Sequence, residues 1–252
     1  KIKKFNKKIN ITGDKSLSIR WVLLASQTTG KSKAYNLLMS EDVLAAIDLI
    51  KKLGIKVKMY KNYCEIFGNG INGFNFKTNL TIDARNSGTL GRLILGLLIK
   101  SPKKIRLIGD KSLSKRDFSR ITEPLKRFGA KFYYKRKNKL PLSILGSNSV
   151  KGINYLENRG SAQCKSSVML AALNSSGITS IKAKKSRNHT ELLFKYLKID
   201  IKVKKNKKFD FIDIKPPKKI PAFNYQIPGD ISSSAFFIVL TTLADDSKLL
   251  IK

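Results

Sequence analysis

Four apolar runs of about a dozen residues recur along the chain at nearly constant intervals. Each run opens with small polar residues, and the runs begin at Ser16, Ser87, Ser161 and Ser232, which are 71, 74 and 71 residues apart. Strands are usually about 5 or 6 residues long, so runs of this length indicate buried helices. The pattern predicts helices at residues 16–28, 87–99, 161–173 and 232–243, each followed by a short strand, at residues 33–38, 104–108, 178–182 and 248–251.

A second, amphipathic helix follows in each of the first three units. In the first unit Val43, Ile47, Ile50 and Leu53 recur at the three- and four-residue spacing of one helix face. The same spacing predicts helices at residues 41–53, 117–128 and 188–197. Pro124 lies inside the second of these and should kink that helix or delay its start.

Extended segments complete each unit. Gly54 and Gly129 follow two of the amphipathic helices and are predicted C-caps. With one strand before the first helix, the unit is a βαβαββ repeat of about 72 residues, and such repeats bury their apolar faces against one another. The fourth copy stops after one helix and one strand, and the chain starts without methionine, so we expect a fragment of a longer protein. The further predicted strands are residues 54–57, 63–67, 129–132, 142–145, 199–203 and 209–214.

Composition narrows the class of protein. Apolar residues make up 42% of the 252 residues, which is enough for a real core. No apolar run reaches the roughly 18 residues of a membrane span, and the lysine-rich start does not resemble a signal peptide. We therefore predict a cytoplasmic protein without a membrane partner.

The net charge of +34 first suggests nucleic acid. The lysines are spread over every segment, however, and abundant Lys, Asn and Ile reflect A/T-rich codons. We interpret most of this charge as a solvated lysine surface and predict no nucleic-acid partner. A nucleic-acid face stays the alternative, while an anion-binding cleft would depend on a few placed cations.

Metal chemistry is not indicated. Cys64, Cys164 and His189 are too few and too scattered for a zinc or iron–sulfur site. We expect both cysteines to be reduced and packed and His189 to begin a helix. The tripeptide Gly-Lys-Ser at residues 30–32 lacks the earlier glycine of a phosphate-binding loop, because Ala25 occupies that position.

One octapeptide occurs twice. GDKSLSIR at residues 13–20 returns as GDKSLSKR at residues 109–116, with seven of eight positions identical. The first copy lies at a predicted helix start, where unpaired N–H groups and the helix dipole favour anions. Lys15 offers a point charge and Arg20 a planar fork for phosphate or carboxylate. An ordinary helix cap with solvated basic residues is the alternative.

Other unit starts carry similar groups. Gly88 would let a ligand approach the backbone closely, and Arg92 lies one turn further on. If the units pack as quasi-symmetric layers, these ends converge on one cleft that suits a ligand with more than one acidic group. The groups at this end are Asn86, Gly88, Arg116, Ser161, Gln163, Ser186 and Arg187.

Six strings in order along the chain resemble one enzyme family. They are GDKSLSIR (13–20), NSGTLGR (86–92), residues 109–124, GSAQCKS (160–166), SRNHTE (186–191) and PGDISS (228–233). The chain closely resembles the EPSP synthase family, the 3-phosphoshikimate 1-carboxyvinyltransferases. A sister family of UDP-N-acetylglucosamine enolpyruvyl transferases shares the fold but lacks the SRNHTE string and has asparagine in place of Ser16.

The resemblance implies a mixed α/β fold, an inside-out α/β barrel with two domains of three βαβαββ units each. Carried over, residues 13–226 form the complete domain. Residues 1–12 and 227–252 belong to a partial second domain. The family's aspartate base and several cations of its phosphoenolpyruvate site are expected beyond residue 252, so the catalytic residue is unknown here.

The implied reaction transfers the carboxyvinyl group of phosphoenolpyruvate to the 5-hydroxyl of shikimate 3-phosphate, on the route to chorismate and aromatic amino acids. It requires no cofactor or metal, and the full-length enzyme is expected to be a monomer. We expect these 252 residues alone to bind shikimate 3-phosphate weakly without turnover. The alternatives are a basic binding protein or a half-enzyme that needs a separate C-terminal partner.

The resemblance also implies roles for residues. Leu93 departs from the proline usual in the family, which puts the helix geometry beside Gly88 in doubt. Asn86 and Arg187 are second choices for the site. The implied shikimate 3-phosphate residues are Lys15, Ser16, Arg20, Ser161, Ala162, Gln163 and Ser186, and the implied phosphoenolpyruvate residues are Lys15, Gly88, Arg116 and Gln163.

Overall fold

The computed structural model describes residues 3–252. Lys1 and Ile2, which the predicted partial domain includes, lie outside the described residues. The helices follow the apolar periodicity closely. In chain order they are α1 (Lys15–Ala25), α2 (Glu41–Lys52), α3 (Gly88–Leu97), α4 (Ser119–Arg127), α5 (Ala162–Ala172), α6 (His189–Tyr196) and α7 (Ile231–Thr242).

The strands are short, and most of them correspond to predicted ones. They are β1 (Asn6–Ile9), β2 (Thr29–Tyr35), β3 (Lys56–Met59), β4 (Tyr63–Asn69), β5 (Leu80–Asp83), β6 (Ile105–Ile108), β7 (Lys131–Tyr134), β8 (Leu142–Leu145), β9 (Asn154–Glu157), β10 (Thr179–Lys184), β11 (Ile201–Lys205), β12 (Phe209–Ile214), β13 (Asn224–Gln226) and β14 (Lys248–Ile251).

Three four-stranded sheets repeat one topology. Their orders are β13-β2-β4-β3, β5-β6-β8-β7 and β9-β10-β12-β11. In each sheet the first two strands run parallel and the other neighbours antiparallel. The mixed α/β class predicted from the sequence is confirmed by this arrangement.

The first sheet obtains its outer strand from far along the chain. The repeat alone places the strand that precedes α1 in the same sheet, but β1 pairs with β14 in a separate two-stranded ribbon. Strand β13 takes the place beside β2, with Asn224 opposite Lys33. Sequence periodicity missed β13, because three residues are too few to show a pattern.

The three helices α1, α3 and α5 form the centre of the fold. Nearly every side chain of these helices is buried. Helices α3 and α5 pack closely at Gly96, where an added Cβ atom would collide with the Ser167 carbonyl oxygen. The outer helices α2, α4 and α6 bury one stripe each, including the predicted Val43, Ile47 and Ile50.

Local chemistry explains where the boundaries differ from the prediction. Helix α1 ends at Ala25, where the hydroxyls of Ser26 and Thr28 donate to the carbonyls of Leu23 and Ala25 and so compete with a further helical turn. Strand β2 then begins at Thr29 rather than at residue 33, so the 30–32 tripeptide lies within a strand. Helix α4 begins two residues later than predicted and contains Pro124.

The predicted glycine caps are confirmed. Gly54 and Gly129 follow α2 and α4 with φ of 87° and 100°, a left-handed conformation that other residues adopt only with strain. Leu93 is buried within a regular α3. Among residues 3–252, no helix is long and apolar enough to cross a membrane.

Candidate functional site

The central helices all begin with a side-chain cap. In each, the cap oxygen accepts a hydrogen bond from the backbone N–H three residues further on, as the small polar residues at each run's start predicted. The contacts are Asp14 with Leu17 at 2.7 Å, Ser87 with Leu90 at 3.3 Å and Ser161 with Cys164 at 3.3 Å. The remaining N–H groups and the helix dipole make these ends favourable places for anions.

Two arginines converge on Gly88, the first residue of α3. A Cβ atom added to Gly88 would lie 2.8 Å from Nη1 of both Arg92 and Arg116, so the two nitrogens are no more than twice that distance apart. Burial lowers the pKa of Arg92, and the nearby charges of Arg120 and Arg116 lower it further. Within the described chain, neither Arg92 nor Arg116 makes an ion pair with a carboxylate.

Gln163 joins this arginine pair to the third unit. Its Oε1 accepts a hydrogen bond of 2.6 Å from Arg92 Nη1, and its Nε2 donates to Thr89 Oγ1 at 3.0 Å. The amide is thereby fixed between α3 and α5. The structure thus brings together Gly88 and Arg116 of the second unit and Gln163 of the third.

The second octapeptide copy supports the same region in a different conformation. Residues Leu113–Lys115 form a single 3-10 turn, and Arg116 follows in an extended conformation. Asp110 accepts hydrogen bonds from Leu113 N at 2.7 Å and from Asn86 Nδ2 at 2.5 Å. Both hydrogen bonds lower the pKa of Asp110, and the bond from Leu113 has the larger effect. Asn86 is therefore tied to the turn that positions Arg116.

Arg20 is buried in α1 and makes three hydrogen bonds within the protein. Its guanidinium group donates to Thr190 Oγ1 at 2.8 Å, to the Ser16 carbonyl oxygen at 3.0 Å and to Ser166 Oγ at 3.0 Å. Burial lowers the pKa of Arg20 to about 10, which leaves it charged at neutral pH. The sequence predicted that the planar guanidinium group of Arg20 binds a ligand. The structure adds three hydrogen-bond acceptors in the protein that fix this group.

Lys15 is exposed at the start of α1. Its ammonium group lies 3.2 Å from Asp42 Oδ2, in the first turn of α2. Its backbone N–H donates to Asp230 Oδ2 at 3.4 Å, so the starts of α1 and α7 are adjacent. Ser16, the next residue, is half-buried.

The loop before α6 carries Ser186 and Arg187, and besides burial, the charge of Arg187 contributes to the lowered pKa of Arg20. Ser186 Oγ and His189 Nδ1 are buried and have no hydrogen-bond partner among the described residues. Burial lowers the pKa of His189, and the charge of Arg20 lowers it further. Arg187 is exposed. His189 is the first residue of α6, as predicted.

Helix α5 contributes residues to two clusters, one around Gly88 and Arg116 and the other around Arg20. Ser161 caps it, Ala162 is its first residue, Gln163 reaches the arginine pair and Ser166 reaches Arg20. Sequence reasoning named Arg92 only as one turn beyond Gly88, and it missed other contacting residues altogether. Ser166, Thr190 and Asp110 lie inside the quoted motif strings, but the sequence assigned no role to their side chains. Asp42 lies outside every motif string.

The cysteines are free and buried, as predicted for Cys64 and Cys164. Burial raises the pKa of the Cys64 thiol to about 12. Across residues 3–252, no cluster of three or more His, Cys, Asp or Glu side chains could hold a metal ion.

Comparison with known proteins identifies the family. The family described as EPSP synthase (3-phosphoshikimate 1-carboxyvinyltransferase) matches residues 1–252, the whole chain. The chain belongs to the EPSP synthase family. The resemblance seen in the six motif strings is thereby confirmed.

Individual members of the EPSP synthase family agree. The chain is 36% identical over 245 residues to the 3-phosphoshikimate 1-carboxyvinyltransferase of Syntrophomonas wolfei, with 97% of this chain and 56% of that protein covered. It is 35% identical over 254 residues to the Bacillus subtilis protein of the same name, with 100% and 58% covered. The solved EPSP synthase of Acinetobacter baumannii superposes with a TM-score of 0.88 at 32% identity, over 99% of this chain and 56% of that one. The chain therefore spans a little more than half the length of these EPSP synthases.

Proposed function

We propose that this chain carries half of the active site of a 3-phosphoshikimate 1-carboxyvinyltransferase. The reaction adds the 5-hydroxyl of shikimate 3-phosphate to C2 of phosphoenolpyruvate while C3 gains a proton, and the resulting tetrahedral intermediate loses phosphate. Both substrates are strongly anionic. Preorganised cations and N–H donors are the groups that stabilise such charge during reaction.

The observation that carries this proposal is the convergence of Arg92 and Arg116 on Gly88, beside Gln163. Two like charges held close together repel each other. With no carboxylate of the described residues paired to either one, an anionic ligand is the natural counter-charge. The phosphate of phosphoenolpyruvate carries a charge opposite to that of this arginine pair.

We assign phosphoenolpyruvate to the cluster around Gly88 and Arg116, and shikimate 3-phosphate to the cluster around Arg20. The phosphoenolpyruvate side comprises Lys15, Gly88, Arg116 and Gln163, with Asn86 as a supporting residue. The shikimate 3-phosphate side comprises Lys15, Ser16, Arg20, Ser161, Ala162, Gln163 and Ser186, with Arg187 as a supporting residue. The buried Ser186 hydroxyl has no hydrogen-bond partner among residues 3–252, and this supports its hydrogen bonding to a ligand there.

Calorimetric titration of the chain with shikimate 3-phosphate and phosphoenolpyruvate tests the assignment. Lys15→Ala should weaken binding of shikimate 3-phosphate by roughly 10-fold or more, because a hydrogen bond to a charged group contributes about 1.5–3 kcal/mol. Lys111→Ala is the matched control, since Lys111 holds the equivalent place in the second octapeptide copy and is exposed. Equal affinity of the two variants would contradict the proposal.

Two further measurements complete the test. A phosphate-release assay on the 252-residue chain should show no turnover, because the chain spans 56–58% of the length of its named relatives. Tight, salt-dependent binding of duplex DNA that is indifferent to Lys15→Ala would instead favour a basic binding protein.

We also propose the domain division at residues 13–226, with residues 3–12 and 227–252 outside it. All three four-stranded sheets form within residues 29–226, while β1 pairs only with β14, and this supports the division. A cytoplasmic location and a monomeric full-length enzyme belong to the same proposal, and the free cysteines are consistent with that location.

A further inference from the structure

Two hydroxyl side chains accept hydrogen bonds from one edge of the Arg20 guanidinium group. We call Arg20 together with these hydroxyls, of Ser166 and Thr190, the Arg20 clamp. Nε donates to Thr190 Oγ1 at 2.8 Å, and Nη2 donates to Ser166 Oγ at 3.0 Å. The two hydroxyls also hydrogen-bond each other, with their oxygens 2.7 Å apart. All three side chains are buried. The edge of the guanidinium group is therefore held by residues of two other helices, α5 and α6.

A buried ion pair lies directly beside this clamp. Lys165 precedes Ser166 and Glu191 follows Thr190, and the Lys165 ammonium lies 2.5 Å from Glu191 Oε1. Lys165 is fully buried. Removing one partner of a buried pair leaves an uncompensated charge, and this contact joins α5 to α6 next to the two hydroxyls.

The hydrogen-bond count leaves a defined edge of Arg20 unused. A guanidinium group has five N–H donors, and Arg20 uses three of them, the third on the Ser16 carbonyl oxygen at 3.0 Å. Among the contacts of the described chain, one N–H on each of the two terminal nitrogens has no partner. Such a pair binds both oxygens of one carboxylate.

We propose that Ser166 and Thr190 are positioning residues that aim the terminal edge of Arg20 at the carboxylate of shikimate 3-phosphate. This inference rests on the proposed function, because it concerns the same ligand. A free arginine side chain samples many rotamers and loses this freedom when it binds. Side chains that fix it before the ligand arrives reduce the entropy that binding must overcome.

Two ligands and one near-isosteric variant test the proposal. Thr190→Val removes the hydroxyl and keeps the shape of the side chain. We expect about 10-fold weaker binding of shikimate 3-phosphate, the effect of one lost hydrogen bond to a charged group. An analogue whose carboxylate is replaced by a hydroxymethyl group should lose less than about 2-fold, because it does not use the charged edge of Arg20.

Companion variants separate positioning from general damage. Ser166→Ala should repeat the ligand-selective loss, and Thr190→Ser, which keeps a hydroxyl, should restore the affinity. Ser167→Ala is the matched control, because that buried hydroxyl donates to the Arg92 carbonyl oxygen at 3.0 Å and does not touch Arg20. If Thr190→Val does not fold, Ser166→Ala and Thr190→Ser carry the same comparison.

A ligand-free readout keeps this inference distinct from the proposed function. The ¹H–¹⁵N signal of Arg20 Nε, assigned through its loss in Arg20→Lys, should move in Thr190→Val and return in Thr190→Ser. An unmoved signal, or equal weakening of both ligands, would overturn the positioning role alone. Absence of shikimate 3-phosphate binding by the unaltered chain would overturn the proposed function and the ligand named here.

Discussion

At the scale of single residues, the absence of a side chain decides which groups can approach the site. Gly88 is the clearest case, because Arg92 and Arg116 approach the place where a Cβ atom would stand. The motif predicted a close approach at this glycine, and the prediction concerned a ligand. The structure shows that two guanidinium groups of the protein also use the space, a contact across sequence that no motif encodes.

Gly88→Ala should lower affinity for phosphoenolpyruvate without unfolding the protein. The added methyl would lie 2.8 Å from the Nη1 atoms of Arg92 and Arg116, which are the ends of flexible side chains and can move away. We expect roughly 10-fold weaker binding of phosphoenolpyruvate by calorimetry, equivalent to about 1.4 kcal/mol.

Gly91→Ala is the control for this change on the same helix. The three atoms nearest to its Cβ would belong to Ala84 at 3.3 Å and to Leu113 and Phe118 at 3.6 Å, so its affinity for phosphoenolpyruvate should stay within about 2-fold of the unaltered chain. Equal losses in the two variants would show that helix packing, and not the arginine pair, controls binding.

His189 should make the chain less stable in mild acid. Its pKa is lowered from the ordinary 6.5, first by burial and then by the charge of Arg20. Between the lowered pKa and 6.5 the unfolded chain therefore binds more protons than the folded chain, so the free energy of unfolding falls as pH drops through this window.

Urea unfolding from pH 8 to pH 5 measures that effect. His189→Gln removes the titrating group, so the stability difference between the variant and the unaltered chain should shift toward the variant below about pH 6.5. Parallel stability curves for the two proteins would contradict the expectation.

At the scale of helices and strands, nearly identical local sequence gives different structures. The octapeptide begins an eleven-residue helix in its first copy and only a three-residue 3-10 turn in its second. The difference lies in the residues after each copy, since Trp21 and Val22 continue an apolar run whereas Asp117 is charged. The sequence predicted the helix at the first copy, but it did not predict the 3-10 turn at the second, because burial of the later residues decides whether a helix continues.

Gly96→Ala should destabilise the packing of α3 against α5. The new methyl would collide with the Ser167 carbonyl oxygen, which is backbone and cannot turn aside. Overpacking of this kind costs about 1–3 kcal/mol. Urea unfolding should show this loss for Gly96→Ala, and Gly91→Ala on the same helix should change stability by much less.

Across the whole molecule, the sequence predicted the repeat and its class but not how the units close. Apolar period and length identified the central and outer helices, because each helix carries enough residues to show its pattern. Strand β13 and the β1–β14 pair depend on contacts between distant segments, which periodicity does not report. The same limit hid the Arg20 clamp, whose members come from α1, α5 and α6.

The apolar surface of α7 should bind hydrophobic dyes. Unlike the other helices that begin with a side-chain cap and a long apolar run, it is largely exposed, with Phe236 at 80% and Ile231 at 71%. Phe236→Ser should reduce the fluorescence of the dye ANS. Its free energy of unfolding should stay within about 0.5 kcal/mol of that of the unaltered chain. Leu192→Ser, at an exposed position on α6, is the control and should leave the fluorescence nearly unchanged.

The excised segment of residues 13–226 should fold by itself. It holds all three four-stranded sheets and the central helices α1, α3 and α5. We expect one cooperative urea transition at a midpoint close to that of the full chain, whereas a segment ending at residue 219 should unfold at lower urea because it lacks β13. Equal midpoints for the two segments would contradict the closing role of β13.

The distant origin of β13 has a consequence for how the protein is made. Phe223 N bonds Ser32 Oγ across 191 residues of chain, so the first sheet stays incomplete until its last strand leaves the ribosome. At about 5–20 residues per second, that interval is on the order of ten to forty seconds. During this time β2 has an unpaired edge, and such an edge can pair with another chain until β13 covers it.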